Sequence, residues 1–225
     1  MKKSTPQISL NKLAEFVNAT SARKRSILKT IKTNSAESKS KRQRYATAKS
    51  AINTYMIDEK HDLKIFEEKK KVLLDKKTES TQQANDVKNS LGAIKILEQL
   101  AQSGLTQYQK FISQRPTKEQ RNTRINGVLV HLAPDIVFSA NEEITGAMKL
   151  IFSKRPITPL EGQIIAGLTA KFLEKNFKAK IHHKDCFALD VFAKRIHPVP
   201  ESFKYYSIVL KKAYAEINKL WTTIK

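Results

Sequence analysis

VLVHLAPDIVFSANEEITGAMKLIF, residues 128–152, decides the fold. Val128, Val130 and Leu132 alternate with their neighbours and so point to one side of an extended segment, and Met148, Leu150 and Phe152 do the same. ANEE, 140–143, is turn material between the two runs, and Pro134 interrupts the first. The spacing predicts two strands, or three with a break at Pro134.

Downstream, Leu160, Ile164, Leu168 and Phe172 recur at helical spacing, and Thr158-Pro159 marks the start of that helix because proline suits the first helical position. CFALDVF, 186–192, is a short apolar run with the β-branched and aromatic content of a buried strand. Phe203, Tyr206, Leu210, Ile217, Trp221 and Ile224 predict a closing helix from about Ser202. Residues 119–225 therefore read as a small mixed α/β domain of order β-β(-β)-α-β-α.

Upstream, SQRPTKEQRNTR, 113–124, is polar, contains Pro116 and has no period, so a boundary is placed there. Residues 1–118 read as a helical region. Ser9 caps a short helix carrying Leu10, Leu13, Phe16 and Val17, and Thr20 or Ser21 caps a second with Ile27, Leu28 and Ile31. Tyr45, Ala48, Ile52, Tyr55 and Met56 mark a third. The runs Leu63–Phe66–Leu73 and Val87–Leu91–Ile94–Leu97 predict a long hairpin or coiled-coil-like arm, a surface for a protein partner. The fold class is α+β or α/β, a helical arm region followed by a mixed domain.

The chain of 225 residues carries 42 Lys and Arg against 21 Asp and Glu, a net charge of +21. Such a balance points to a polyanionic partner. The excess is densest in residues 1–50, with 13 basic residues against Glu15 and Glu37. Cys186 is the single cysteine, which excludes an internal disulfide and a CxxC site. MKKSTPQISLNK lacks an apolar segment behind its basic start, so the expectation is a cytoplasmic chain without transmembrane insertion.

TSARKRSILKTIK places Arg23, Lys24, Arg25, Lys29 and Lys32 on a helix whose other face is Ile27, Leu28 and Ile31, and KSKRQR adds Lys39, Lys41, Arg42 and Arg44. The apolar face anchors the helix and the cationic face meets backbone phosphates of DNA or RNA, which charge alone does not distinguish. A membrane-surface helix is the competing reading, but this apolar face lacks Trp and Phe. Tyr45, Tyr55 and Tyr108 sit at core spacing, so they read as core and not as stacking platforms.

No glycine-rich phosphate loop or GxSxG elbow occurs. IHHKDC, 181–186, reads as a loop or strand entry, because no second cluster supplies further metal ligands. The element order, Pro134-Asp135 and a lysine, Lys149, on the next strand together resemble the PD-(D/E)xK nuclease superfamily over roughly residues 120–195. The resemblance implies Mg²⁺ held by Asp135 and by an acid two residues before Lys149, with the lysine orienting water.

That acid position is Ala147, on the same strand face as Lys149. The expectation is therefore a non-catalytic nucleic-acid-binding protein needing no cofactor, an accessory subunit of a bacterial or phage nucleoprotein or defence assembly. The alternative is a Mg²⁺-dependent nuclease using Asp135 and Lys149 with Glu142, Glu143 or Glu161 as the relocated acid. Asp190, an acid in an apolar run, is expected to pair with Lys149, Lys194 or Arg195.

Overall fold

Of the two readings of residues 128–152, the three-strand one with a break at Pro134 holds: Val128–His131 lies in a small three-stranded sheet, whereas Ile136–Ala140 and Glu143–Ile151 are neighbours in a five-stranded mixed sheet. The structure, a computed structural model, describes residues 5–33, 44–115, 117, 121–132 and 134–224. The first part of the chain supplies β1 (Gln7–Ser9), α1 (Leu10–Val17), α2 (Ser21–Thr33), α3 (Ala46–Ile57), α4 (Lys64–Leu74) and α5 (Thr81–Gln102). A 3-10 turn at Thr106–Tyr108 leads to β2 (Ile112–Gln114), β3 (Asn122–Ile125), β4 (Val128–His131), β5 (Ile136–Ala140) and β6 (Glu143–Ile151). Then follow α6 (Pro159–Phe177), β7 (Cys186–Asp190), β8 (Arg195–Pro198) and α7 (Lys204–Thr223). The fold is mixed α+β.

The main sheet has the order β2-β5-β6-β7-β8, and a small second sheet the order β1-β4-β3. β5 and β6 are antiparallel, with Ala140 opposite Glu143. Asn141 and Glu142 turn between them with φ of 50° and 65°, the left-handed pair whose twist suits a two-residue hairpin. β6 and β7 are parallel, so a crossover must join them, and α6 is that crossover. Its start is fixed as expected: Thr158 and Glu161 form a capping box, with Pro159 opening the helix.

Alternation along β6 decides what lies on each side of the sheet. Met148 and Leu150, with Ile136, Phe138, Phe187 and Leu189, face Ala48, Ile52, Phe66, Ile94 and Leu97 of α3, α4 and α5. Ala147 and Ile151, with Cys186 and Ala188, face Leu13, Phe16, Ile164, Leu168 and Ile217 of α1, α6 and α7. The sheet is thus covered on both faces, which explains why all five residues of β7 are buried. Gly146 permits the close parallel approach, since a Cβ there would lie 2.0 Å from the Asp185 carbonyl oxygen.

The packing differs from the expected division near residue 118. β2, from the first stretch, is an edge of the main sheet and β1 pairs in parallel with β4, and both cores draw on both stretches. The long hairpin of α4 and α5 is not a free arm: Phe66, Leu73, Ile94 and Leu97 are buried in the core beneath the sheet. Its apolar stripe found its partner within the chain, and Val72 and Leu74 remain exposed at the end of α4. Among the described residues no helix is long and apolar enough to cross a membrane.

Candidate functional site

The antiparallel register of β5 on β6 brings Asp135 and Lys149 together. Asp135 N donates to Met148 O at 2.8 Å, which locks the carboxylate at the start of β5 beside the end of β6. Its Oδ2 accepts from Leu150 N at 2.7 Å and lies 3.3 Å from Lys149 Nζ. Its Oδ1 accepts from Lys49 Nζ at 3.0 Å. Lys49 comes from α3, across the sheet end, with its ammonium 5.9 Å above the Phe152 ring. Asp135 and Lys149 are each 8% exposed.

Burial opposes ionisation of Asp135, but the Lys149 and Lys49 ammonium groups and the Leu150 amide outweigh it and hold the carboxyl below the usual aspartate range. Burial pulls the Lys149 ammonium below the usual lysine range against the attraction of Asp135. Both carboxylate oxygens are thus engaged by cations or an amide of the chain itself.

The candidate acids do not join this centre. Ala147 is fully buried in the core toward α6 and offers no oxygen. Glu142 and Glu143 lie at the opposite end of β6 from Lys149, about 20 Å away along the strand. Glu143 is exposed and sits 3.3 Å from Lys180 Nζ. Glu161 is spent on structure: its Oε2 accepts from Thr158 N at 2.7 Å and its Oε1 from Arg155 Nη2 at 2.6 Å. Asp135, Lys149, Glu143 and Glu161 therefore form no Mg²⁺ pocket, and the donor set does not fit that ion. Among the described residues no group of three or more His, Cys, Asp or Glu could hold a metal.

A cavity of about 220 Å³ lies between the end of β6, α1 and the start of α6. Its two carboxylates are neutralised by the chain, Glu15 by Lys12 and Arg23 and Glu161 by Arg155. Among the described residues Asp190 forms no ion pair with Lys194 or Arg195, two of its expected partners. It accepts from Ile157 N at 2.8 Å and Ala193 N at 3.3 Å, so its carboxylate joins the segment before α6 to the turn after β7. Cys186 is buried, which pushes its thiol up to about 12, far from a reactive thiolate.

The basic helix α2 is anchored by Ile27 and Leu28 as expected, but much of its charge is turned inward to neighbours. Arg23 Nε and Nη2 donate to Glu15 Oε1 at 2.9 and 2.5 Å. Lys24 Nζ meets Glu216 Oε2 of α7 at 2.7 Å. Lys32 Nζ donates to Trp221 O at 3.1 Å and to Ile224 O, completing carbonyls at the C-terminal end of α7 where a cation is favoured. Arg44 Nε meets Asp86 of α5 at 2.6 Å. Lys39, Lys41 and Arg42 lie outside the described residues. Arg25 and Lys29, one turn apart, are exposed and make no ion pair among the described residues.

Sequence reading missed the second half of this surface. α7 buries Leu210, Ala213, Tyr214, Ile217 and Trp221, and its lysines Lys204, Lys211, Lys212 and Lys219 are exposed out of phase with that stripe. Lys212 and Lys219 stand one turn on either side of Glu216, the residue that Lys24 of α2 reaches. Arg25 and Lys29 of α2 and Lys212 and Lys219 of α7 thus flank one inter-helix seam, and none of them has an ion-pair partner among the described residues. The lysine spacing against the apolar stripe carried the signal, but only the packing of α2 on α7 joins the two sets.

A scan of family models, a search of curated proteins and a search of solved structures each returned no match.

Proposed function

We propose that the protein is a non-catalytic nucleic-acid-binding protein that grips backbone phosphate through the seam between α2 and α7. The observation that carries this reading is the set of four exposed cations there, Arg25, Lys29, Lys212 and Lys219, on a chain of net charge +21. Exposed cations keep their hydration until a polyanion arrives, and the gain on binding is the release of that polyanion's counterions. Phosphate contacts of this kind carry little sequence information, so weak sequence preference follows.

Absence of catalysis is supported by the Asp135 centre. A nuclease of the resembled type needs clustered oxygens with room for a cation. Here Lys149, Lys49 and the Leu150 amide occupy the carboxylate, and Ala147 stands where the second acid would be. The strand order and the α6 crossover are compatible with a nuclease-like scaffold retained for binding surface. A role as an accessory subunit, with catalysis supplied by a partner, fits such a scaffold.

Incubating the protein with labelled DNA and RNA in Mg²⁺ or in EDTA tests both halves. The expected result is retarded, intact nucleic acid in both conditions. Cleavage abolished by EDTA and by Asp135→Ala would overturn the reading in favour of a nuclease with a relocated acid.

A further inference from the structure

Tyr205, Ile208, Lys212 and Lys219 succeed one another at three, four and seven residues, so they form one outward line along α7, opposite Leu210, Ile217 and Trp221. Tyr205 is 63% and Ile208 57% exposed, whereas Tyr55, Tyr108 and Tyr214 are buried. The line spans about 21 Å from Tyr205 to Lys219, and α2, which carries Arg25 and Lys29, meets α7 at its Lys219 end, through Lys24 at Glu216 and Lys32 at Trp221 and Ile224. Tyr205 is also held. Its ring stands edge-on to Tyr206, with centroids 5.6 Å apart and planes at 81°. Tyr206 in turn stacks on Phe203 at 5.3 Å and donates its hydroxyl to Gln163 Oε1 of α6.

We propose that this line, with the α2 flank, binds a single-stranded polynucleotide, DNA or RNA, with an unpaired base stacked on Tyr205 and phosphates on Lys212, Lys219, Arg25 and Lys29. The inference rests on the nucleic-acid reading above and deepens it. A duplex keeps its bases stacked on each other and gains nothing from an exposed ring. A single strand exchanges water for a π-face at each aromatic it meets. Edge-on support from Tyr206 leaves the ring preorganised, so little side-chain entropy is lost on binding. An anionic membrane is the weaker fit, because interfacial helices need a broad apolar face and α7 has spent its own on the core, leaving Tyr205 and Ile208 alone outside.

Fluorescence anisotropy with labelled oligothymidylate, oligouridylate and duplex DNA of about 20 nucleotides tests it, with phosphatidylserine-containing vesicles as a separate arm. The two single strands separate DNA from RNA as the source of the same chemistry. Tyr205→Ala should weaken single-strand binding about tenfold or more while duplex binding holds, and Tyr205→Phe, which keeps the ring, should restore it. Circular dichroism confirms that each variant is folded. If wild type binds single strands and Tyr205→Ala binds them equally, the stacking inference falls and the nucleic-acid reading stands. If wild type binds no nucleic acid both fall, and binding confined to vesicles replaces them with a membrane surface.

Discussion

Asp135 accepts from donors on two elements, so its removal strips the buried Lys149 ammonium of this counter-charge and releases Lys49 from the sheet end. Breaking a buried pair on one side costs more than the pair contributes, and Asp135→Ala should lose about 3–5 kcal/mol of stability, read from urea midpoints. The carboxyl is held below the ordinary aspartate range in the folded chain. The unfolded chain therefore takes up its proton first as pH falls. The stabilisation is complete above the ordinary aspartate range and is lost as pH drops through the lower, folded value, so urea midpoints should fall as pH is taken below that ordinary range in wild type, and less steeply in Asp135→Asn. The shared face of Ala147 and Lys149 was legible from alternation along 146–152, whereas Asp135 was linked to Lys149 only by the nuclease resemblance. Lys49 was not, because it lies 86 residues away on a helix that crosses the sheet end. Glu161 could have been read correctly, since Thr158 followed three residues later by Glu161 is itself a capping signature.

β6 depends on a close parallel neighbour, and Gly146 is where that contact is tightest. Gly146→Ala would place a Cβ 2.0 Å from the Asp185 carbonyl, a backbone atom that cannot rotate away. Forcing β6 and β7 apart should cost about 1–3 kcal/mol or more, measured by thermal unfolding. The sequence declared β5, β6, α6 and β7 because their periods persist and their boundaries carry proline, capping or turn residues. It hid β1, β2, β3 and β8, three or four residues long, because none of them carries the repeated apolar positions that marked Val128 and Val130 in β4. β2 lies inside the polar stretch that read as a boundary, and only its pairing with Val137–Ser139 makes it a strand. The stripes on α4 and α5 were read correctly as apolar faces, but a stripe does not say which surface covers it; the sheet did.

At the scale of the whole molecule, charge is the property most plainly written in composition, and its placement the least. A net charge of +21 predicts a polyanionic partner without naming the surface. Folding then sorts the cations: Arg23, Lys24, Lys32 and Arg44 join α1, α7 and α5, while Arg25, Lys29, Lys212 and Lys219 stay exposed. Replacing a cation of the first group should loosen the packing of the helices, and replacing one of the second should leave stability nearly unchanged. The account is tested most directly by the salt dependence of nucleic-acid affinity in wild type and in Lys212→Glu/Lys219→Glu. Four phosphate contacts at the seam predict that log affinity falls with log salt with a slope of about −3, and that the double reversal lowers affinity and flattens the slope by about 1.5. A slope near zero in wild type, or an unchanged slope in the double variant, would contradict it.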